Sequence, residues 1–226
     1  MNRSGSCTFL IDVDNTLLDN DALIGDLMLH LEQEFGTSER DRYKEIFEQL
    51  RSELGYADYL GALQRYRLHD SGDPRLLLVS SFLVDYPFRT RLYPETMRAL
   101  EYLAKLGQTV ILSDGDVVFQ PRKIQRSGLW DAVEGRVLIY IHKEEMLADI
   151  MRRYPAHHYC MIDDKLRILS AMKKILGPRL TTVFVRQGHY AHDPGEIAAY
   201  PPADVSLENI GMLRGYDFET VGVAVG

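Results

Sequence analysis

Cysteine is scarce in this chain: Cys7 and Cys160 are the only two, far apart and without a CxxC pair. That count excludes a disulfide framework and suits a reducing compartment. No uninterrupted apolar run approaches the ~20 residues that span a bilayer. The first apolar run, which follows Arg3, stops at Asp12, too early for a signal peptide. Basic charge is not in excess either, with 26 Lys and Arg against 33 Asp and Glu and a formal net charge of -7. The balance argues against a nucleic-acid backbone as partner. Repeats and low-complexity tracts are lacking. The expectation is a soluble cytoplasmic protein with no membrane or nucleic-acid partner; the oligomeric state is not legible.

What is present is globular: 46% hydrophobic and 26% charged residues over a length of 226, enough for one large domain or a core with an insertion. The organising stretch is Thr8–Leu18, TFLIDVDNTLL, in which an apolar strand runs straight into Asp12, Asp14 and Thr16. Leu23, Leu27, Leu31 and Phe35 then recur at helical spacing up to Gly36. Thr37 or Ser38 is positioned to cap a second helix that ends at Gly55, a third carries Tyr59 to Tyr66, and a fourth carries Leu76 to Leu83. A fifth is expected to begin at Pro94 and close at Gly107. Strands follow at 109–112, 137–141, 159–162 and 181–185, separated by helices at 117–126, from Lys143 to Pro155, and at 166–175. The tail reads as loop-rich, with a last strand near Val205 and a short helix near Ile210. Strand–helix alternation from residue 94 onward predicts an α/β fold, a Rossmann-like three-layer core with a parallel sheet. The core is expected at 1–19 and 91–226, with an all-helical insertion at 20–90.

Strand ends in this pattern carry polar groups: Asp12 and Asp14, then Ser113-Asp114-Gly115, then Asp163 and Asp164, with Lys143 after a further strand. In a parallel sheet the carboxyl ends lie along one edge, so these groups converge there. Several apposed carboxylates repel one another unless a cation intervenes. Hard oxygen donors suit Mg²⁺, which binds one or two carboxylates together with a substrate phosphate. The chemistry implied is phosphoryl transfer to a carboxylate nucleophile.

The ordered set DVDNT at 12–16, VILSDG ending at 115, Lys143 and MIDD at 161–164 resembles the haloacid dehalogenase superfamily. The helical segment between the first two motifs resembles that superfamily's first-type cap. The resemblance implies Asp12 as nucleophile and Asp14 as acid/base, with Thr16 holding the loop. It implies Ser113, with the backbone around Asp114 and Gly115, and Lys143 as the phosphoryl-binding groups. It also implies an Mg²⁺ site from Asp12, the Asp14 carbonyl, Asp163 and Asp164, with Asp164 favoured as the direct ligand. Lys123, inside the helix after the second motif, is a second candidate for the lysine role. Two departures stand out: Lys165 directly follows the acidic pair, and Glu144 replaces the proline that often follows the lysine.

Other features carry bland readings. An EF-hand fails because Leu17 and Leu23 occupy its obligatory positions, and no G-x-S-x-G surrounds Ser113. His157 and His158 read as edge residues, Arg65, Arg67, His69, Arg89 and Arg91 as solvated faces, and Tyr43, Tyr56, Tyr59 and Tyr66 as helix packing. The leading expectation is a Mg²⁺-dependent phosphohydrolase acting on a small phosphorylated metabolite through an aspartyl-phosphate. The alternatives are a 2-haloacid dehalogenase or phosphomutase of the same fold, or a catalytically idle partner-binding protein.

Overall fold

The computed structural model describes residues 7–67 and 73–218, so His69 lies outside the described residues. Six strands form one parallel sheet: β1 (Cys7–Ile11), β2 (Gln108–Asp114), β3 (Val137–Tyr140), β4 (His158–Asp163), β5 (Leu180–Val185) and β6 (Val205–Leu207). Their spatial order is β3-β2-β1-β4-β5-β6, which puts β1 at the centre between β2 and β4.

Alternation along β1 explains why both faces of the sheet are covered. Phe9 and Ile11 join one buried cluster, with Ile111, Ile162 and Val183; Leu10 joins the other, with Val110, Leu112 and Met161. A strand buried on both sides is a continuous apolar run rather than an alternating one. Helices α5 (Thr96–Leu106), α6 (Phe119–Ser127) and α7 (Leu129–Ala132) supply the first cluster, and α8 (Leu147–Arg153) and α9 (Leu166–Leu176) the second. This is the three-layer α/β arrangement expected. Cys7 and Cys160 are buried free thiols.

Between β1 and β2 the chain forms α1 (Asn20–Phe35), α2 (Thr37–Leu54), α3 (Tyr59–Arg67) and α4 (Leu76–Asp85). The chain leaves and re-enters the core side by side. Asp19 N–H donates to the Arg91 carbonyl at 2.8 Å and Tyr93 N–H to the Leu17 carbonyl at 3.0 Å. Tyr43, Tyr59 and Tyr66 are buried among the helices, as packing residues should be. Arg65 pairs with Glu53, and Arg91 with Asp26 and Tyr86.

Several helix starts differ from expectation, each for a local reason. Gly36, with no side-chain cap, holds the position expected of Thr37 or Ser38, and the Thr37 hydroxyl donates instead to Glu32 at 2.8 Å. Helix α5 begins at Thr96 because Glu95 sits in the left-handed region. Helix α6 begins at Phe119 because the Asp116 carboxylate accepts the N–H groups of Val118 and Phe119 at 2.8 and 2.6 Å. Lys143 opens a short 3-10 turn, Lys143–Glu145, and α8 starts only at Leu147. In the tail, Asp193 caps a short helix, α10 (Pro194–Ala199), at Gly195 N–H, where a loop was expected. No helix among the described residues is long and apolar enough to cross a membrane.

Leu10 is wholly buried in the sheet, whereas Leu29 on α1 is 53% exposed. Leu10→Ala should therefore cost ~2–5 kcal/mol of unfolding free energy in urea denaturation, and Leu29→Ala should leave the midpoint almost unchanged.

Candidate active site

Strand β1 ends at Ile11, and pairing continues one residue further through Asp12 N–H to the Ile162 carbonyl at 3.0 Å. The chain then folds into a tight loop in which the N–H groups of Thr16, Leu17 and Leu18 all turn toward the Val13 carbonyl. Asn15 holds φ +60°, and its side chain accepts N–H bonds from Asn20 and Asp21 at the start of α1. Gly188 presses against Asn15 so closely that a Cβ there would lie 2.4 Å from the Asn15 Cβ. Only glycine permits that approach.

The acids converge as the topology requires. Asp12, Asp163 and Asp164 place carboxylate oxygens within 4.8 Å of one another, and all three are at most 5% exposed. Lys143 Nζ, itself buried, donates to Asp12 Oδ1 at 2.5 Å and lies 2.7 Å from Asp163 Oδ2. The other Asp163 oxygen accepts the Lys165 N–H at 2.9 Å. Neither oxygen of Asp164 has a hydrogen-bond partner among the described residues, and nor does Asp12 Oδ2.

The electrostatics follow from this crowding. Burial pushes the Asp12 carboxyl above its ordinary range against the opposing pull of Lys143. Burial likewise raises Asp164 well above it. Burial works against the charge of Lys143, but Asp12, Asp163 and Asp114 outweigh it and hold the ammonium well above its ordinary value. Lys165 is held up in the same way by Asp164, Asp12 and Asp163, and its ammonium lies 4.9 Å from the centre of the Tyr190 ring. Buried carboxylate oxygens without donors are an unstable arrangement unless protonated or bound to a cation. The unpartnered oxygens of Asp164 and Asp12 fit a hard divalent cation.

Asp14 is not part of that cluster. Its carboxylate is partly exposed and turns to Lys123 Nζ at 2.7 Å and Gln120 Nε2 at 3.3 Å. Ser113 Oγ accepts from the same Gln120 Nε2 at 2.9 Å. Asp114 turns its carboxylate back to the Lys143 N–H at 2.8 Å, and burial raises its pKa to about 6. Gly115 N–H donates to the Tyr140 carbonyl at 2.9 Å. A Cβ at residue 115 would meet Gln120 at 2.8 Å. The Thr16 hydroxyl is buried without a partner among the described residues, and its carbonyl accepts from Gln187 at 3.3 Å.

The two lysines thus occupy different places: Lys143 sits on Asp12, and Lys123 on Asp14. Gln120, 3% exposed, is the residue that sequence reading missed. A glutamine in the first turns of a helix gives no signal of its own, although its place one turn before Lys123 puts both on one face. Glu144 pairs with Arg167. His157 is exposed and His158 contacts Thr181 at 2.9 Å, in keeping with an edge position.

Cation binding gives a direct check. Mg²⁺ added to chelator-treated protein should raise its melting temperature, and Asp164→Asn should lose most of that rise, as calorimetry would record.

A family profile described as haloacid dehalogenase-like hydrolase matches residues 8–175. No match emerges among curated protein sequences. Among solved structures, a haloacid dehalogenase-like hydrolase from Burkholderia xenovorans LB400 is 67% identical, covering 94% of this chain and 99% of its own with a TM-score of 0.91. The HAD-hydrolase YfnB from Bacillus subtilis, bound to magnesium, is 15% identical with a TM-score of 0.62, covering 97% of this chain and 100% of its own. L-2-haloacid dehalogenase from Xanthobacter autotrophicus is 16% identical with a TM-score of 0.59, covering 92% and 96% respectively. At such identities the last two share the fold. The profile match over most of the chain and the 67% identity to the Burkholderia protein make this chain a member of the haloacid dehalogenase-like hydrolases.

Proposed function

We propose that this chain is a Mg²⁺-dependent phosphohydrolase that cleaves a small-molecule phosphomonoester through an aspartyl-phosphate on Asp12. The observation that carries the reading is the division of labour between two acids two residues apart. Asp12 is buried against Lys143, whereas Asp14 is partly exposed and held by Lys123 and Gln120. Paired carboxylates in different environments are the usual sign of different roles. Displacement of halide from carbon needs a nucleophile but no acid on the leaving group, so Asp14 favours phosphate ester over haloacid.

Asp12, Asp163 and Asp164, with the Asp14 carbonyl, would hold the ion, and the unpartnered oxygens of Asp164 favour it as the most direct ligand. Bound there, Mg²⁺ supplies positive charge to the phosphoryl oxygens. Lys143 and the Ser113 hydroxyl, by their closeness to Asp12 and Asp14, orient the same group. An Asp12 carboxylate oxygen forms a bond to phosphorus while the bond to the leaving oxygen breaks, and Asp14 gives that oxygen its proton. The Asp14 carboxylate then takes a proton from water, the new hydroxide bonds to phosphorus, and the phosphorus–Asp12 bond breaks to release phosphate.

The helices from residue 20 to 90 are read as a cap over this site, with the core at 1–19 and 91–226. The adjacent exit and re-entry of the chain at Asp19 and Arg91 supports that division. So does the closeness of Gly55, at the end of α2, to His142 beyond β3, where a Cβ would lie 2.5 Å from the imidazole.

A phosphate-release screen over sugar phosphates, nucleotides and phosphoglycolate with Mg²⁺ tests the reading. The wild type should release phosphate from at least one class, and Asp12→Asn should fall to background while melting as the wild type does. Phosphate release retained by Asp12→Asn would overturn the assigned nucleophile. Halide release from a 2-haloacid without Mg²⁺ would favour the dehalogenase instead.

A further inference from the structure

Lys123 is 0% exposed and pairs with Asp14 Oδ1 at 2.7 Å. Its ammonium also donates to Asn20 Oδ1 at 3.0 Å, and Asn20 is fixed in turn by donating to the Tyr59 hydroxyl at 2.9 Å. The rings of Tyr59 and Phe119 stand 5.8 and 5.5 Å away. A lysine enclosed this way carries a desolvation cost that an apolar side chain of similar volume would avoid. Packing alone therefore does not account for it.

One turn earlier on the same face of α6, Gln120 uses its single amide group twice. Nε2 donates to Asp14 Oδ2 at 3.3 Å and to Ser113 Oγ at 2.9 Å. Each oxygen of Asp14 thus has its own donor, and both donors come from one helix. Gly115 leaves room for this side chain, since a Cβ at residue 115 would lie 2.8 Å from the Gln120 Cβ and Cγ.

We propose that Lys123 and Gln120 are positioning residues, a two-point clamp from α6 that fixes the direction of the Asp14 carboxylate relative to Ser113 and Asp12. This rests on the phosphohydrolase reading, in which Asp14 meets the leaving oxygen. Lys123 acts through Asp14 and does not touch the phosphoryl group. The clamp also ties the start of α1 to the site, because Asn20 and Asp14 share one ammonium.

The test uses kcat/KM for 4-nitrophenyl phosphate and phenyl phosphate with Mg²⁺. Nitrophenolate departs without a proton, whereas phenolate gains from protonation, so misdirecting Asp14 penalises the second more. Lys123→Met should lose roughly 10-fold more on phenyl phosphate than on 4-nitrophenyl phosphate, and Lys123→Arg should recover part of that difference. In an Asp14→Asn background, adding Lys123→Met should change kcat/KM by less than about twofold, because a residue acting through Asp14 has nothing left to position. Thermal melts confirm that each variant is folded, and Gln120→Leu provides an independent variant of the clamp that should show the same selective loss. Equal loss on both substrates, or a full further loss in the Asp14→Asn background, would overturn the positioning role while leaving the phosphohydrolase reading intact. No phosphate release by the wild type from either probe or from the wider screen would overturn that reading and the inference with it.

Discussion

Three carboxylates buried at one strand edge are the constraint on which this structure turns. Asp12, Asp163 and Asp164 are buried and apposed, so like charges repel strongly and each unpaired ion carries a desolvation cost of several kcal/mol. Such a cluster persists only with positive charge close by. Lys143 provides part of it, wedged between Asp12 and Asp163, and Lys165 adds more from the side of Tyr190. The oxygens of Asp164 have no donor among the described residues, and that residual demand suits the site to a divalent cation.

The fold meets this constraint through topology rather than through any single motif. Placing β1 between β2 and β4 puts the end of the first strand beside the DD pair and the serine strand at once. Helix α6 then approaches from the β2 side with Gln120 and Lys123 on one face, so Asp14 is supported from a second direction. The four helices inserted after the loop begin at Asn20, whose side chain shares Lys123 with Asp14. The insertion and the site are therefore mechanically joined at the residue where the insertion starts.

Much of this was legible in the chain because burial on both sheet faces leaves continuous apolar runs, and those runs stop at polar residues. The strands ending on Asp12, Ser113 and Asp163, and the lysine after β3, could be placed on one edge by that rule alone. What was not legible depends on contacts between residues distant in sequence. Lys123 stands out in the sequence only as a rival to Lys143, and it is the fold that sets it against Asp14 instead of Asp12, while Gln120 has no distinguishing neighbours. Local chemistry misled in smaller ways: Asp116 capped α6 later than periodicity suggested, and Asp193 with Pro194 started a helix in a stretch read as loop. The engagement of Gly115 N–H by Tyr140 follows from the β2–β3 register, which the sequence does not specify.

The nucleophile can be caught directly. Wild-type protein turning over a phosphomonoester with Mg²⁺ would be quenched in acid within its steady state, digested, and its peptides weighed by mass spectrometry. The expected result is one phosphoryl group on the peptide containing Asp12, localised to that residue by fragmentation and lost on return to turnover conditions without substrate. Steady phosphate release with no phosphoryl group on Asp12, or with one on Asp14 instead, would contradict the account.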